Sequence, residues 1–143
     1  MRILQRSRLT TLGIDVPVKT HTTSAYFWAG ALGRSAEPDD DGTYLNHGRV
    51  GGMDFFVQRV GEGGPRFRVY IEPDDVDAEA ARLEGVGATR VEQVSTWWVM
   101  RYPAGNLLCV VPPQTNDFPA DATTWPSQGM VEFSTPMVIS AIL

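Results

Sequence analysis

The chain has 143 residues, 43% of them hydrophobic, with a formal net charge of −5 and an isoelectric point near 4.9. This length suits one domain with one core. Proteins that bind nucleic acid through its phosphates usually carry a basic patch, so the acidic balance argues against a nucleic-acid partner.

The sequence shows no pattern of a disulfide-rich protein and none of a membrane protein. Cys109 is the single cysteine, which excludes an intramolecular disulfide framework, and no Cys/His cluster has the spacing of a zinc site. The apolar run 137–143 is far shorter than the roughly 20 residues that cross a bilayer. No apolar stretch of signal-peptide length follows the arginines near the start. We therefore expect a cytoplasmic protein with no membrane partner.

The first half predicts a strand and a helix. Residues 9–16 alternate between threonine and aliphatic side chains, and Pro17 ends the strand because proline cannot donate to a ladder. Thr20 or Thr22 can cap a helix through its hydroxyl, and Gly33 closes it. The helix has three consecutive aromatic residues that we expect to pack against the sheet: Tyr26, Phe27 and Trp28.

A polar turn and a hairpin follow this helix. Residues 37–42 are rich in aspartate and predict a turn, after which 43–50 and 53–60 are typical of two strands joined at Gly51 and Gly52. The glycine-rich stretch 61–65 is interpreted as a linker.

The second half repeats the same order of elements. Residues 66–71 predict a strand, and Asp75 is placed to cap a helix in which Val76, Ala80 and Leu83 recur at i, i+4 and i+7. Three strands follow at 89–94, 96–102 and 106–111, and a Pro-Ala-Gly-Asn turn at 103–106 joins the last two. Two copies of strand, helix and three strands form an internal structural repeat.

A strand that leads into an aspartate-capped helix and then a Pro-x-Gly-Asn turn resembles the second module of the glyoxalase, bleomycin-resistance and extradiol-dioxygenase (vicinal oxygen chelate) superfamily. The resemblance implies an α+β fold. Two βαβββ modules, at about 8–60 and 66–112, would form a curved mixed sheet around a concave pocket, with the helices outside. It also implies a homodimer.

The domain is expected to span residues 1–113, followed by a C-terminal extension at 114–143. Residues 114–128 are interpreted as a polar connector. The apolar stretches 130–133 and 137–143 would be costly to leave in water, so we expect them to dock as strands on the sheet or on a partner subunit.

The resemblance also implies four metal ligands on the concave face, and the corresponding positions here are Leu9, Phe56, Arg68 and Cys109. Leucine and phenylalanine cannot ligate, and a guanidinium repels a cation. We therefore expect no metal and no other cofactor. His21, at a helix start, and His47, near a hairpin tip, are expected to be surface residues without a metal role.

Strand alternation selects the pocket-facing residues. It puts Arg66, Arg68 and Tyr70 on one face and Phe67, Val69 and Ile71 on the face that packs on the helices. Adjacent Trp97 and Trp98 must point to opposite faces, so one of them should reach the pocket or its rim. The candidate ligand-binding residues are Phe56, Arg66, Arg68, Tyr70, Trp97, Trp98, Leu107 and Cys109.

Arg68 has two interpretations that the sequence leaves open. It can anchor a carboxylate, phosphate or polarised carbonyl of a small organic ligand. Alternatively, Asp15 or Asp54 neutralises it as a structural ion pair. Cys109 has no histidine partner for nucleophilic catalysis and is interpreted as a small buried hydrophobe.

The leading functional hypothesis is a metal-free small-molecule-binding protein of the glyoxalase/bleomycin-resistance type, which sequesters or carries an antibiotic-like or metabolic ligand. One alternative is a lyase, dehydratase or isomerase-type enzyme of the same superfamily, either metal-independent or with relocated metal ligands. A third is a subunit whose pocket is vestigial and whose role is interaction. No catalytic residue can be named from the sequence.

Overall fold

A computed structural model describes residues 5–114 and 118–125. These residues form one nine-stranded mixed sheet with two helices and two short 3-10 turns. The strands are β1 Gln5–Pro17, β2 Glu37–Pro38, β3 Tyr44–Val50, β4 Met53–Val60, β5 Arg66–Pro73, β6 Thr89–Val94, β7 Trp97–Arg101, β8 Leu107–Val110 and β9 Thr123–Trp125. The helices are α1 His21–Leu32 and α2 Val76–Gly85, and the 3-10 turns are Val18–Thr20 and Phe118–Asp121.

The main sheet has the strand order β2-β3-β4-β1-β5-β8-β7-β6. In each half the first strand pairs in parallel with the last, β1 with β4 and β5 with β8. The two first strands, β1 and β5, pair antiparallel in the middle of the sheet. The predicted α+β fold of two βαβββ modules is therefore confirmed.

The ends of the two helices show which local signals were correct. The Ala78 amide donates to Asp75 Oδ1 at 3.0 Å, which confirms the predicted cap of α2. Gly33 ends α1 in the left-handed region with a φ of 66°, also as predicted. The threonine cap of α1 was wrong, because Thr20 makes no side-chain cap bond and its hydroxyl instead donates to the Pro17 carbonyl.

Two tight turns set the strand pairing. Gly51 and Gly52, with φ of 61° and 86°, join β3 to β4 at the predicted position. In the turn between β7 and β8 the Gly105 amide donates to the Tyr102 carbonyl at 2.8 Å, and Gly105 has a φ of 103°. The Pro-x-Gly-Asn segment is therefore a hairpin turn, as expected.

Both helices cover the same side of the sheet. On α1, Trp28 and Leu32 pack against a buried cluster of Ile14, Val16, Phe55 and Val57. On α2, Ala80 packs with Met100, Leu108 and Val110. The opposite, concave face is left uncovered by either helix.

Three aromatic side chains depart from the predicted packing. Tyr26 and Phe27 are 75% and 63% exposed, so the expectation that they pack against the sheet was wrong. Ala25, Trp28 and Leu32 form the stripe of α1 that faces the sheet. Tyr26 and Phe27, which lie between Ala25 and Trp28 in sequence, fall outside this stripe. Phe67 lies on the helix-side face but is exposed, because the cluster under α2 includes Val69 and Ile71 and does not reach it.

The C-terminal segment contributes a strand that the sequence did not predict. β9 pairs antiparallel with the start of β1, with Trp125 opposite Gln5. The Trp125 indole donates to the Ser7 hydroxyl at 2.8 Å, and the Arg82 guanidinium lies 3.9 Å from the centre of a Trp125 ring. This strand lies in the stretch interpreted as a polar connector, whereas the strands expected at 130–133 and 137–143 lie outside the described residues. Of the two helices described, neither has the length and apolar character to span a membrane.

Candidate ligand-binding pocket

A cavity of about 540 Å³ opens on the concave face and draws its lining from both modules. Its apolar part is largely aromatic, with Tyr44 and Phe56 from module one and Tyr70 and Trp97 from module two. Its polar part includes Thr11, Gln58, Arg68, Glu92, Cys109 and Gln114. This size lies within the range of about 300–1,000 Å³ usual for sites of small organic ligands.

Five of the predicted ligand-binding residues line this cavity: Phe56, Arg68, Tyr70, Trp97 and Cys109. The other three do not. Trp98 faces the helices, where its indole donates to Asp77 at 3.2 Å. Leu107 packs into a cluster with Val99 and Cys109 without lining the cavity, and Arg66 turns to a buried carboxylate beside it.

The first strand presents Thr11 to the pocket, so Leu9 was the wrong choice for the module-one position. A β-bulge between Leu9 and Thr11 places one extra residue in β1 relative to β5. This changes the face for residues before the bulge, and Leu9 is 47% exposed outside the cavity. The sequence prediction assumed regular alternation along β1, and because the bulge interrupts this alternation, the prediction assigned Leu9 to the pocket face where Thr11 stands.

Arg68 is held at the pocket floor by Asp15. Its Nε and Nη2 atoms lie 3.2 and 2.9 Å from Asp15 Oδ2, and Arg66 Nε lies 3.2 Å from the same oxygen. Asp15 has no exposed surface, whereas the Arg68 side chain is 13% exposed. Of the two carboxylates considered from the sequence, Asp15 is thus the partner, and Asp54 lies instead 3.9 Å from Arg49.

The ion cluster carries a net positive charge, because two guanidinium groups share one carboxylate. Burial alone lowers the pKa of Arg68, but Asp15 and Cys109 more than offset this and leave the pKa raised. Arg68 therefore stays cationic. Among the lining residues that the structure describes, it is the only cation.

The thiol and phenol side chains near Arg68 are uncharged at neutral pH. Burial is the largest cause that raises the pKa of the Cys109 thiol, and burial likewise raises the pKa of the Tyr44 and Tyr70 phenols. Arg68 Nη1 lies 3.7 Å from Cys109 Sγ, a weak contact with a neutral sulfur. Cys109 is buried, as the sequence predicted.

Gly13 makes room for the aromatic wall, and sequence reasoning missed it. A Cβ on this residue would lie 2.6 Å from Phe56 and 3.3 Å from Tyr70. The Phe56 ring packs edge-on against Tyr44 at 4.9 Å and against Tyr70 at 5.4 Å between centroids. An isolated glycine inside an alternating strand was the available signal for this close approach.

The residues at the four corresponding metal positions do not fit a divalent ion. The resemblance assigned them to Leu9, Phe56, Arg68 and Cys109. The last three line the cavity together with Thr11, and one of them, Arg68, is a permanent cation. Within residues 5–114 and 118–125 no three His, Cys, Asp or Glu side chains are grouped to hold a metal.

Both histidines are buried, so the prediction of surface histidines was wrong. His21 and His47 are 4% and 3% exposed. His21 Nε2 donates to the Val57 carbonyl at 3.0 Å, and His47 Nδ1 donates to the Ser35 carbonyl at 2.8 Å. Neither lines the pocket. His21 joins the start of α1 to β4, and His47 joins β3 to the segment after α1.

A smaller cavity of about 360 Å³ adjoins the main one and shares Thr11, Phe56 and Gln114 with it. Its other lining residues include Asn46 and Asp54 on the concave face of module one. The main cavity thus holds Arg68 and Glu92 beside its aromatic side chains, and the smaller cavity holds Asp54.

The fold and the pocket together define a two-module protein of the glyoxalase type. The model of the glyoxalase-like domain matches residues 11–111, and the chain belongs to that family. A search of the curated proteins gave no match.

Solved structures with a similar fold share little sequence with the chain. One is described as an NAD-dependent benzaldehyde dehydrogenase from Legionella pneumophila; it is 13% identical, with 72% of this chain and 99% of that chain covered and a TM-score of 0.53. Another is a glyoxalase/bleomycin resistance protein/dioxygenase superfamily member from Vibrio splendidus 12B01. It is also 13% identical, with 79% and 100% covered and a TM-score of 0.43.

Proposed function

We propose that this chain is a metal-free protein that binds a small organic ligand on its concave face. The observation that carries the proposal is that the Arg68 guanidinium lines an aromatic-walled cavity. The resemblance assigns this residue to the position of a metal ligand in the metal-dependent relatives. A cavity with apolar walls and a few polar groups is typical of a ligand site. We further propose that the protein sequesters or carries this ligand, which is an antibiotic-like or metabolic molecule.

The chemistry of the pocket favours binding over catalysis. The thiol of Cys109 and the phenols of Tyr44 and Tyr70 have raised pKa values and are protonated at neutral pH. Asp15 is fully buried behind two arginines. Glu92 is the only carboxylate among the described lining residues of the main cavity, and it lies on the edge strand β6. A general acid and base facing one reacting atom therefore cannot be assigned.

The proposal can be tested with a chemically diverse ligand library and the fluorescence of Trp97. A ligand in the pocket should change tryptophan emission in the wild type and in Trp98→Phe, because Trp98 faces the helices. The change should be lost in Trp97→Phe. A ligand signal that survives Trp97→Phe and disappears in Trp98→Phe would contradict the assigned pocket.

Elemental analysis of protein purified without chelator tests the metal-free part of the proposal. We expect less than a stoichiometric amount of any divalent metal, since Arg68 stands at one corresponding position and Phe56 at another. One tightly held ion per chain, lost in a variant of the pocket, would contradict it.

A further inference from the structure

We propose that the ligand is a planar aromatic acid with a single carboxylate, which pairs with Arg68 while its ring lies between the aromatic walls of the two modules. This inference rests on the proposed function and specifies the chemical class of the ligand. Three features carry it: the free edge of the guanidinium, the charge of the ion cluster and the arrangement of the rings.

The Arg68 guanidinium has one edge occupied and one edge available. A guanidinium offers five N–H donors, and it can receive a two-oxygen group along the edge of Nε and one Nη or along the edge of the two Nη atoms. Asp15 takes the first edge, with contacts at 3.2 Å to Nε and 2.9 Å to Nη2. Among the residues that the structure describes, the second edge contacts only the Cys109 sulfur, 3.7 Å from Nη1. This edge matches the two oxygens of a carboxylate.

The charge of the cluster matches a monoanion. Arg66, Arg68 and Asp15 together carry one net positive charge, and Asp15 fixes two positive groups with one oxygen. A carboxylate neutralises this charge. Glu92 also lines the cavity, so a doubly charged phosphate would exceed the available positive charge by one unit more than a carboxylate does, which is costly in a partly buried site.

The rings of the pocket suit a flat ligand. Tyr44 and Phe56 line it from module one, and Trp97 lines it from module two. The strands that carry Arg68 and Cys109, β5 and β8, lie between β4 and β7 in the sheet. A ring that reaches the cation from the opening therefore passes between aromatic side chains, where offset or edge-on contacts are favourable.

Three probes of nearly equal shape and different charge test the inference by calorimetric titration: naphthoate, its neutral amide and naphthylmethylammonium. Naphthoate should bind at least about tenfold more tightly than the amide, because a charged hydrogen bond is worth about 1.5–3 kcal/mol. The ammonium probe should be the weakest in the main cavity. Equal affinities of naphthoate and the amide would overturn the inference.

Variants at the two arginines distinguish the effect of the free guanidinium edge on naphthoate affinity from the effect of the positive charge. Arg68→Leu should weaken naphthoate by about ten- to a hundredfold, and Arg68→Lys should also weaken it because an ammonium cannot present two parallel donors. Arg66→Leu is the matched control. It removes the same charge from the same carboxylate but no donor that lines the cavity, so it should weaken naphthoate through the loss of charge alone, and less than Arg68→Leu does. Equal losses at the two positions would contradict the role of the free edge.

The outcomes distinguish this inference from the proposed function. Binding of the amide in preference to naphthoate, with dependence on Trp97, would overturn the aromatic acid and leave a ligand pocket in place. Binding of the ammonium probe that is lost in Asp54→Asn would instead assign the ligand to the smaller cavity, and the aromatic-acid inference would be wrong. If Arg68→Leu does not fold, the Arg68→Lys and Arg66→Leu variants decide between the edge and the charge.

Discussion

Replacing Asp15 by asparagine should lower the stability of this protein more than any comparable change on its concave face. The substitution keeps the shape of the side chain and removes the carboxylate that pairs with both Arg66 and Arg68. Asp15 is fully buried and the Arg68 side chain is 13% exposed, so these charges are poorly hydrated without each other. Removing one partner of a buried pair typically costs about 3–5 kcal/mol, and the 34% exposure of Arg66 places the expected loss near the lower limit, about 3 kcal/mol.

Thermal and denaturant unfolding measure this loss. For a chain of this size, about 3 kcal/mol corresponds to a fall in Tm of roughly 10 °C. Asp54→Asn is the matched control, because Asp54 is 37% exposed and its contact with Arg49 spans 3.9 Å, so its Tm should change by about 2 °C or less. If Asp15→Asn melts within about 2 °C of the wild type, the two arginines do not depend on this carboxylate, and the charge count of the site is wrong.

Three further predictions follow from named groups. Gly13→Ala should destabilise the protein by about 1–3 kcal/mol and reduce ligand affinity, because the new methyl group overlaps Phe56. A melting experiment measures the loss of stability, and Gly30→Ala, whose methyl group meets nothing within 4 Å, is the control. Burial raises the pKa of Cys109 in the folded state, so above about pH 8.5 the thiol ionises in the unfolded chain while it stays protonated in the folded one. The contribution of this thiol to the free energy of unfolding should therefore be complete below about pH 8.5 and fall as the pH rises toward the folded-state pKa. Cys109→Ala should show a smaller fall. Deletion of residues 130–143 should dissociate the predicted homodimer or lower its solubility, measured by light scattering after size exclusion, and an unchanged mass and melting curve would contradict the docking of this segment.

The fold could be predicted because its signals are local. Asp75, Gly33, Gly51 and Gly105 each mark a cap or turn whose chemistry depends on a few neighbouring residues. The twofold order of strand, helix and three strands then leaves few arrangements for the modules. β9 was missed because a three-residue polar strand has too little alternation to stand out from a connector.

The site could be predicted only where strand alternation was unbroken. Arg68, Tyr70 and Cys109 line the cavity, as strand alternation predicted, because β5 and β8 run without a bulge. The bulge in β1 moved the pocket position from Leu9 to Thr11, and one extra residue in a strand leaves no mark in the composition. The buried histidines were missed for another reason: each is satisfied by a backbone carbonyl distant in sequence, a partner that only the tertiary structure brings close.

The strand register determines which carboxylate pairs with Arg68, a choice that the sequence left open. Both Asp15 and Asp54 were available by charge. In the antiparallel pairing of β1 with β5, Asp15 stands directly opposite Arg66 and Gly13 opposite Arg68. The Arg68 guanidinium lies 2.9–3.2 Å from Asp15, two residues along β1 from Gly13. The same pairing that joins the modules therefore also determines which carboxylate Arg68 meets.

An arginine anchor differs from a metal ion in what it allows the pocket to do. A guanidinium holds an anion by hydrogen bonds, and it neither ionises a bound water nor accepts a lone pair as a metal does. Asp15 weakens the anchor further, since it cancels part of the positive charge of Arg66 and Arg68. Removing that carboxylate would strengthen the field on a ligand, but it would leave two arginines without a partner in the centre of the sheet. The requirement for a stable fold therefore limits the charge of the Arg66, Arg68 and Asp15 cluster to about one unit, which agrees with the proposal that the pocket binds an anion reversibly and does not activate it chemically.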